Sequence, residues 1–353
     1  MSEKLLTPGP VCLHPAAREA LAQPQIHHRS PAASKLLTSL RENVARVAGT
    51  AGETVVVTGS GTAAMVALVT GLFAPGARVW VPLAGKFSER WAEIAASAGL
   101  DVVTTEHPWG AAVSSADVPK APLDGALLTH SETSTGVLQP VAELAAAVKA
   151  ASPQALVVAD AVTSFLLSEI RMDEWGLDAL AIGSQKGLMS PPGLGLAVLG
   201  ESALEHLRPA GYYLDLAREL GQQRGGQTAY TPAINLVAAA AAVLEEVLRG
   251  GLDEHLRQKS ERNHRFYEIG AKAKLQPLPQ AGAQKSPATA AFYLPESAAA
   301  GSLAAAVSAR GWRIAGGQGP LKGRIFRISA MGYLEDNEVE RAFSDFESAL
   351  QEL

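Results

Sequence analysis

The chain has 353 residues, 47% of them hydrophobic and 18% charged, enough apolar material for a substantial core and too much for a disordered chain. A formal net charge of −5 leaves no basic footprint for nucleic acid, and the single cysteine, Cys12, excludes a disulfide framework and a cysteine-based zinc site, so no metal is expected. MSEKLLTPGP lacks the apolar core of a signal peptide, and the apolar run near residues 236–244 is too short to span a bilayer. A cytoplasmic chain with no membrane partner is therefore expected.

In chain order, SKLLTSLRENVARVAG (34–49) repeats apolar residues at helical spacing and stops at a glycine, which predicts a helix. TVVVT (54–58) predicts a strand, followed by a glycine turn and a second helix, TAAMVALVTGL. RVWVPL, DVVTT, GALLTH, ALVVAD and DALAI are short, apolar and rich in β-branched residues, and helical segments such as SERWAEIAASAG and VAELAAAVKAAS separate several of them. Strands alternating with helices predict an α/β domain with a mostly parallel sheet covered on both faces. We expect it to occupy residues 29–250, after an N-terminal arm of residues 1–28, and to close on the long helix PAINLVAAAAAVLEEVLRG. Beyond Gly251 come a charged amphipathic helix, two strand-like runs (AFYLP and GRIFRIS) and a last amphipathic helix. They predict a smaller α+β domain over residues 251–353.

Three segments carry chemistry. TGSGTAA (58–64) lies between a strand and a helix, so its glycines and the free N–H groups of the helix start make either a phosphate cradle or an ordinary glycine turn. It also fits a relaxed dinucleotide fingerprint, but the next strand runs into Ala84-Gly85-Lys86 with no acid to hold a ribose. Asp160 ends ALVVAD at the edge where open α/β sheets place their ligands. Lys186 sits in GSQKG, between glycines and flanked by runs too apolar for a surface loop. A phosphate cradle, an acid and an enclosed lysine are together the parts of a pyridoxal 5'-phosphate site.

LLTPGP, HHRSPA, TGSGTAAM, THSETSTGVLQP, VADAVTS, DEWGLDALAIGSQKGLMSPPGLG and RIFRISAMGY occur in an order that covers most of the chain. In them the sequence resembles the class V aminotransferases of PLP-transferase fold type I, in the alanine–glyoxylate/serine–pyruvate branch. The resemblance implies that Lys186 is the Schiff-base lysine and Asp160 the partner of the ring nitrogen. Val162 and Phe87 then cover the two ring faces, and Ser60, Gly61, Thr62 and Gln185 hold the phosphate. Ser134, with Thr133 as the near alternative, approaches the ring hydroxyl, and Arg327 grips the substrate carboxylate. It further implies a homodimer with shared active sites, in which Tyr230 or Thr231 of QTAYTP completes the neighbour's phosphate site. The implied reaction is ping-pong transamination of alanine or serine with glyoxylate or pyruvate. Alternatives on the same scaffold are a phosphoserine aminotransferase-like enzyme and a PLP-dependent lyase, of which a cysteine desulfurase would need a cysteine in the C-terminal half. Ser88 and Ser131 depart from the family's usual small or polar residues, and Cys12 and His14 fall in a stretch that lies near the substrate in relatives.

Overall fold

A computed structural model of the protein describes residues 3–295 and 301–352. The N-terminal segment holds two short elements. Its strand β1 (Lys4–Leu5) precedes α1 (Pro15–Ala22), whose start is capped by His14 accepting from the Ala16 N–H. The helix predicted at 34–49 is α2 (Pro31–Ala48); it starts earlier because Ser30 caps it and Pro31 suits the first turn, and it ends on Gly49 at φ 70°.

The main layer follows in sequence as β2 (Glu53–Thr58), α3 (Gly61–Leu72), β3 (Arg78–Leu83), α4 (Lys86–Ser97), β4 (Asp101–Glu106) and β5 (Gly125–Thr129). A small hairpin of β6 (Ser131–Glu132) and β7 (Val137–Leu138) leads to α5 (Val141–Ala151), β8 (Leu156–Asp160), β9 (Ala179–Gly183) and β10 (Leu194–Leu199). The helices α6 (Glu201–His206), α7 (Leu216–Gln223) and α8 (Ile234–Gly250) complete this part.

Seven strands form one sheet in the order β2-β10-β9-β8-β5-β3-β4. All pairings are parallel except those of β10, which runs antiparallel to both neighbours. The connection from β9 to β10 is too short for a crossover helix, so the chain has to return in the opposite direction. Alternate residues of β8 face opposite layers: Val157 and Ala159 join the core under α2, α5 and α8, while Leu156 and Val158 join the core under α3 and α4. That two-sided burial is why these strands read as unbroken apolar runs.

Beyond Gly251 the long helix α9 (Leu252–Lys272) precedes β11 (Ala290–Tyr293), α10 (Ser302–Ala309), β12 (Trp312–Arg313), β13 (Ala315–Gly316), β14 (Ile325–Ile328) and α11 (Asp336–Gln351). β14 is the central strand of a three-stranded antiparallel sheet, and β1 pairs with β12. Phe266, Phe292, Phe326 and Phe346 anchor a separate core here, and burying each ring contributes roughly 1.5–3 kcal/mol. No helix among the described residues is long and apolar enough to cross a membrane.

Candidate active site

The C-terminal ends of β5, β8 and β9 lie side by side, with Thr129 opposite Asp160 and Asp160 opposite Ala181. Lys186 follows β9 after a turn that the Ser184 hydroxyl pins, donating to Pro191 O at 2.6 Å and accepting from the Leu194 N–H at 3.2 Å. The lysine is 7% exposed. Burial pushes its ammonium down to about 8, against the pull of Asp160 and with the help of Arg327 and Arg90. Its Nζ donates to the carbonyl of Pro8, and Gly9 lies flat against the side chain; a Cβ there would fall 2.6 Å from Lys186 Cε.

Asp160 ends β8 and accepts from the Val162 N–H at 2.8 Å. Burial raises its carboxyl to about 6, tempered by that N–H and by the charges of Arg90 and Lys186. Val162 packs so closely on Gly61 that a Cβ at the glycine would meet its Cγ2 at 2.7 Å. Across the gap, Lys186 Nζ stands 5.8 Å from the centre of the Phe87 ring at the start of α4. Val162 thus adjoins the acid and Phe87 the lysine, and the two charged groups lie close enough to shift each other.

Beside Val162, Ser60 takes the N-cap position of α3 without bonding the helix through its side chain. The Ala63 N–H is taken by Ser60 O, which leaves the Gly61 and Thr62 N–H groups without an intrahelical partner at the positive end of the helix. Thr62 Oγ1 accepts from Arg90 at 3.4 Å, and the buried Gln185 Oε1 has no partner. An anion-binding helix start beside an orphaned amide fits a phosphate group.

On the other side, Arg327 projects from the centre of the small sheet. It is 6% exposed, donates to Gly316 O at 2.8 and 2.9 Å and to Thr133 O at 3.1 Å, and none of these acceptors carries a charge. Burial pushes the guanidinium down to about 10, opposed by the charge of Glu132. A buried guanidinium bonded to carbonyls alone is suited to an anionic partner.

Two residues that the sequence reading did not single out organise this ground. Glu132 is fully buried and accepts N–H groups of Phe87 (3.1 Å), Ser88 (3.1 Å) and Ser134 (3.2 Å), tying the loop after β5 to the start of α4. Burial raises its carboxyl, and these donors offset part of that rise. Arg90 lies 4.9 Å from the Phe87 ring, one turn along α4, and acts on both Asp160 and Lys186. The available signals were an acid inside an otherwise buried run and the three-residue spacing from Phe87. Ser134 Oγ is already committed, donating to Glu132 and accepting from the Lys86 N–H at 3.0 Å, whereas Thr133 Oγ1 is buried without a partner. Tyr230 and Thr231 are not brought to Lys186 within the chain. Tyr230 donates to Tyr212 O at 2.8 Å, in a surface cluster where Tyr212 and Tyr213 are 68% and 50% exposed.

An enclosed lysine and acid at the strand ends of an open α/β sheet, with a small domain supplying an arginine, define the PLP-transferase fold of type I. Residues 16–341 match the aminotransferase class-V family, and the chain belongs to it. The solved structure of "aspartate aminotransferase which belongs to subgroup IV" from Thermus thermophilus is similar at 52% identity and a TM-score of 0.96, with 99% of each chain covered. Among curated relatives, the "L-aspartate--glyoxylate aminotransferase" of Paracoccus denitrificans is 31% identical over 94% of this chain and 87% of its own length. The "Soluble hydrogenase, small subunit" of Synechococcus sp. is 35% identical over 99% and 93%. This protein is an aminotransferase.

Proposed function

We propose that the enzyme transfers the α-amino group of a small L-amino acid to a small 2-oxo acid on pyridoxal 5'-phosphate, as a cytoplasmic homodimer. The observation that carries this reading is the buried Lys186–Asp160 pair, with the buried Arg327 guanidinium close enough to act on the lysine. When bound, the cofactor supplies an aldehyde and an electron-withdrawing ring. Asp160 would pair with the ring nitrogen and hold a proton on it, with Arg90 favouring the charged carboxylate. Val162 and Phe87 would cover the two ring faces, and Ser60, Gly61, Thr62 and Gln185 would receive the phosphate. With a pKa near 8, Lys186 is partly unprotonated near neutral pH, as a group that moves a proton at the substrate Cα must be. Arg327 fixes the α-carboxylate by its planar fork and so aims the Cα–H bond.

For the contact near the ring hydroxyl or substrate we favour Thr133 over Ser134, because only the Thr133 hydroxyl has bonds left to make. Tyr230 and Thr231 reach the partner's phosphate from the exposed tyrosine cluster. The motif resemblance implies alanine or serine as donor and glyoxylate or pyruvate as acceptor. The names of the Thermus and Paracoccus relatives add L-aspartate, which we place first, with glyoxylate as acceptor. The hydrogenase name of the Synechococcus relative is not carried over, since a chain with one cysteine has no thiolate set for a metal cluster. The test is a matrix of single-turnover half-reactions in which each amino acid meets the holoenzyme and loss of the visible cofactor band is followed. Conversion by aspartate, alanine or serine with release of the matching 2-oxo acid is expected. Release of pyruvate and ammonia from serine with the cofactor band unchanged would make the enzyme a lyase instead.

A further inference from the structure

A cavity of about 510 Å³ lies apart from Lys186, Asp160 and Arg327, none of which lines it. It opens between the start of α5, residues 167–175 after β8, and α9. We propose that it is a second binding site, for a small carboxylate carrying a flat apolar body.

Three observations converge there. His130 lines the cavity, is 5% exposed, and its ring forms no hydrogen bond with a described residue. Burial alone lowers the imidazole to about 4, so near neutral pH it presents one N–H and one bare nitrogen. Neither ring nitrogen is sealed off from solvent, so the unbonded ring faces the cavity and can bond what enters it. Next, α5 begins at Val141 with no side-chain cap; Val141 N–H is taken by Gln139 O and Leu144 N–H by Pro140 O. That leaves the Ala142 and Glu143 N–H groups, both on the cavity wall, without an intrahelical partner at the positive end of the helix. Lastly, Trp175 stands edge-on to His130 at 5.7 Å and lines the same space with Leu138 and Leu256, an apolar wall for a flat body.

The charges set the strength. Glu169 is paired with Arg171, and Arg257 with Glu254 and Glu261, so neither competes strongly for a ligand. Glu143 has no such partner among the described residues and weakens anion binding, which puts the expected Kd on the order of 0.1–1 mM. The site backs onto the catalytic one, because the backbone N–H of His130 donates to the backbone carbonyl of Asp160 at 3.0 Å.

The probe is 3-phenylpropionate, titrated calorimetrically into holoenzyme. Wild type and Arg327→Ala should bind it equally, which separates this site from the substrate carboxylate site. His130→Phe, which keeps the ring against Trp175, should weaken binding about tenfold, as should Ala142→Pro, which removes one N–H at a position that tolerates proline. Neutral 3-phenylpropanamide should bind more weakly than the acid by a similar factor. Both variants should retain the visible cofactor band, which reports that they fold. No binding by wild type at about 10 mM would overturn the proposal, as would binding lost in Arg327→Ala but kept in both cavity variants.

Discussion

Lys259 offers a test that is independent of the cofactor. It lies on α9, 5% exposed, and donates to Gly332 O at 2.7 Å and towards Met189 Sδ at 3.5 Å, three residues beyond Lys186. Burial, aided by Arg262 and opposed by Cys12, lowers its ammonium from 10.5 to about 7. His14 and His255 face the same group, and its charge lowers both. Between pH 7 and 10.5 the unfolded chain therefore carries a proton that the folded chain does not. Stability must rise with pH across that window, by up to about 1.4 kcal/mol per unit, and the full penalty at or below pH 7 is on the order of 5 kcal/mol. Lys259→Met removes this penalty and forfeits the Gly332 bond, worth about 1 kcal/mol. The variant should be more stable than wild type by about 3–4 kcal/mol at pH 7, and the advantage should vanish towards pH 10. Urea denaturation of both proteins at several pH values measures the difference. Parallel curves from pH 7 to 10 would show that Lys259 is solvated or paired, and the reasoning from burial would fail.

Gly9→Ala should disturb the cofactor lysine, since Gly9 has φ 114° and its Cβ would meet Lys186 Cδ and Cε at 2.6 Å. Backbone strain of about 1–3 kcal/mol plus that overlap should weaken cofactor retention by roughly 10–100-fold, read by dialysis and the visible band; unchanged retention would contradict the contact. Arg327→Ala should reduce kcat/KM about 100-fold, mostly through KM, and abolish the preference for an amino acid over its decarboxylated amine, with Arg327→Lys rescuing only part. If both proteins discriminate equally, the carboxylate is held elsewhere. Sedimentation should show a dimer, and Tyr230→Ala should raise the cofactor Kd without altering the Lys186 surroundings within the chain; a fully active monomer would end the shared-site reading.

Much of this site could be read along the chain because it sits at strand ends. Asp160 closes an apolar run and Lys186 interrupts two, and the structure has Asp160 as the last residue of β8 and Lys186 shortly after the end of β9. The antiparallel course of β10 was hidden, since a buried strand has the same composition in either direction. Glu132 and Arg90 were missed because their importance lies in contacts made across the fold, to α4 and to Asp160. The difference between Thr133 and Ser134 is not one of residue type. It depends on which hydroxyl the Glu132 loop has already consumed. The segment of residues 1–28 read as an arm because a two-residue strand and an eight-residue helix leave almost no periodic signal.

Two buried lysines with lowered pKa, Lys186 near 8 and Lys259 near 7, could each attack an aldehyde on chemical grounds alone. Geometry separates them: only Lys186 stands over Phe87 and within reach of Asp160, while Lys259 is enclosed against Gly332 and Met189. Borohydride reduction of the protein loaded with pyridoxal 5'-phosphate, followed by peptide mapping, decides between them. The account predicts one phosphopyridoxyl group per chain, on the peptide that contains Lys186. A label on Lys259, on a surface lysine, or on no peptide would contradict it.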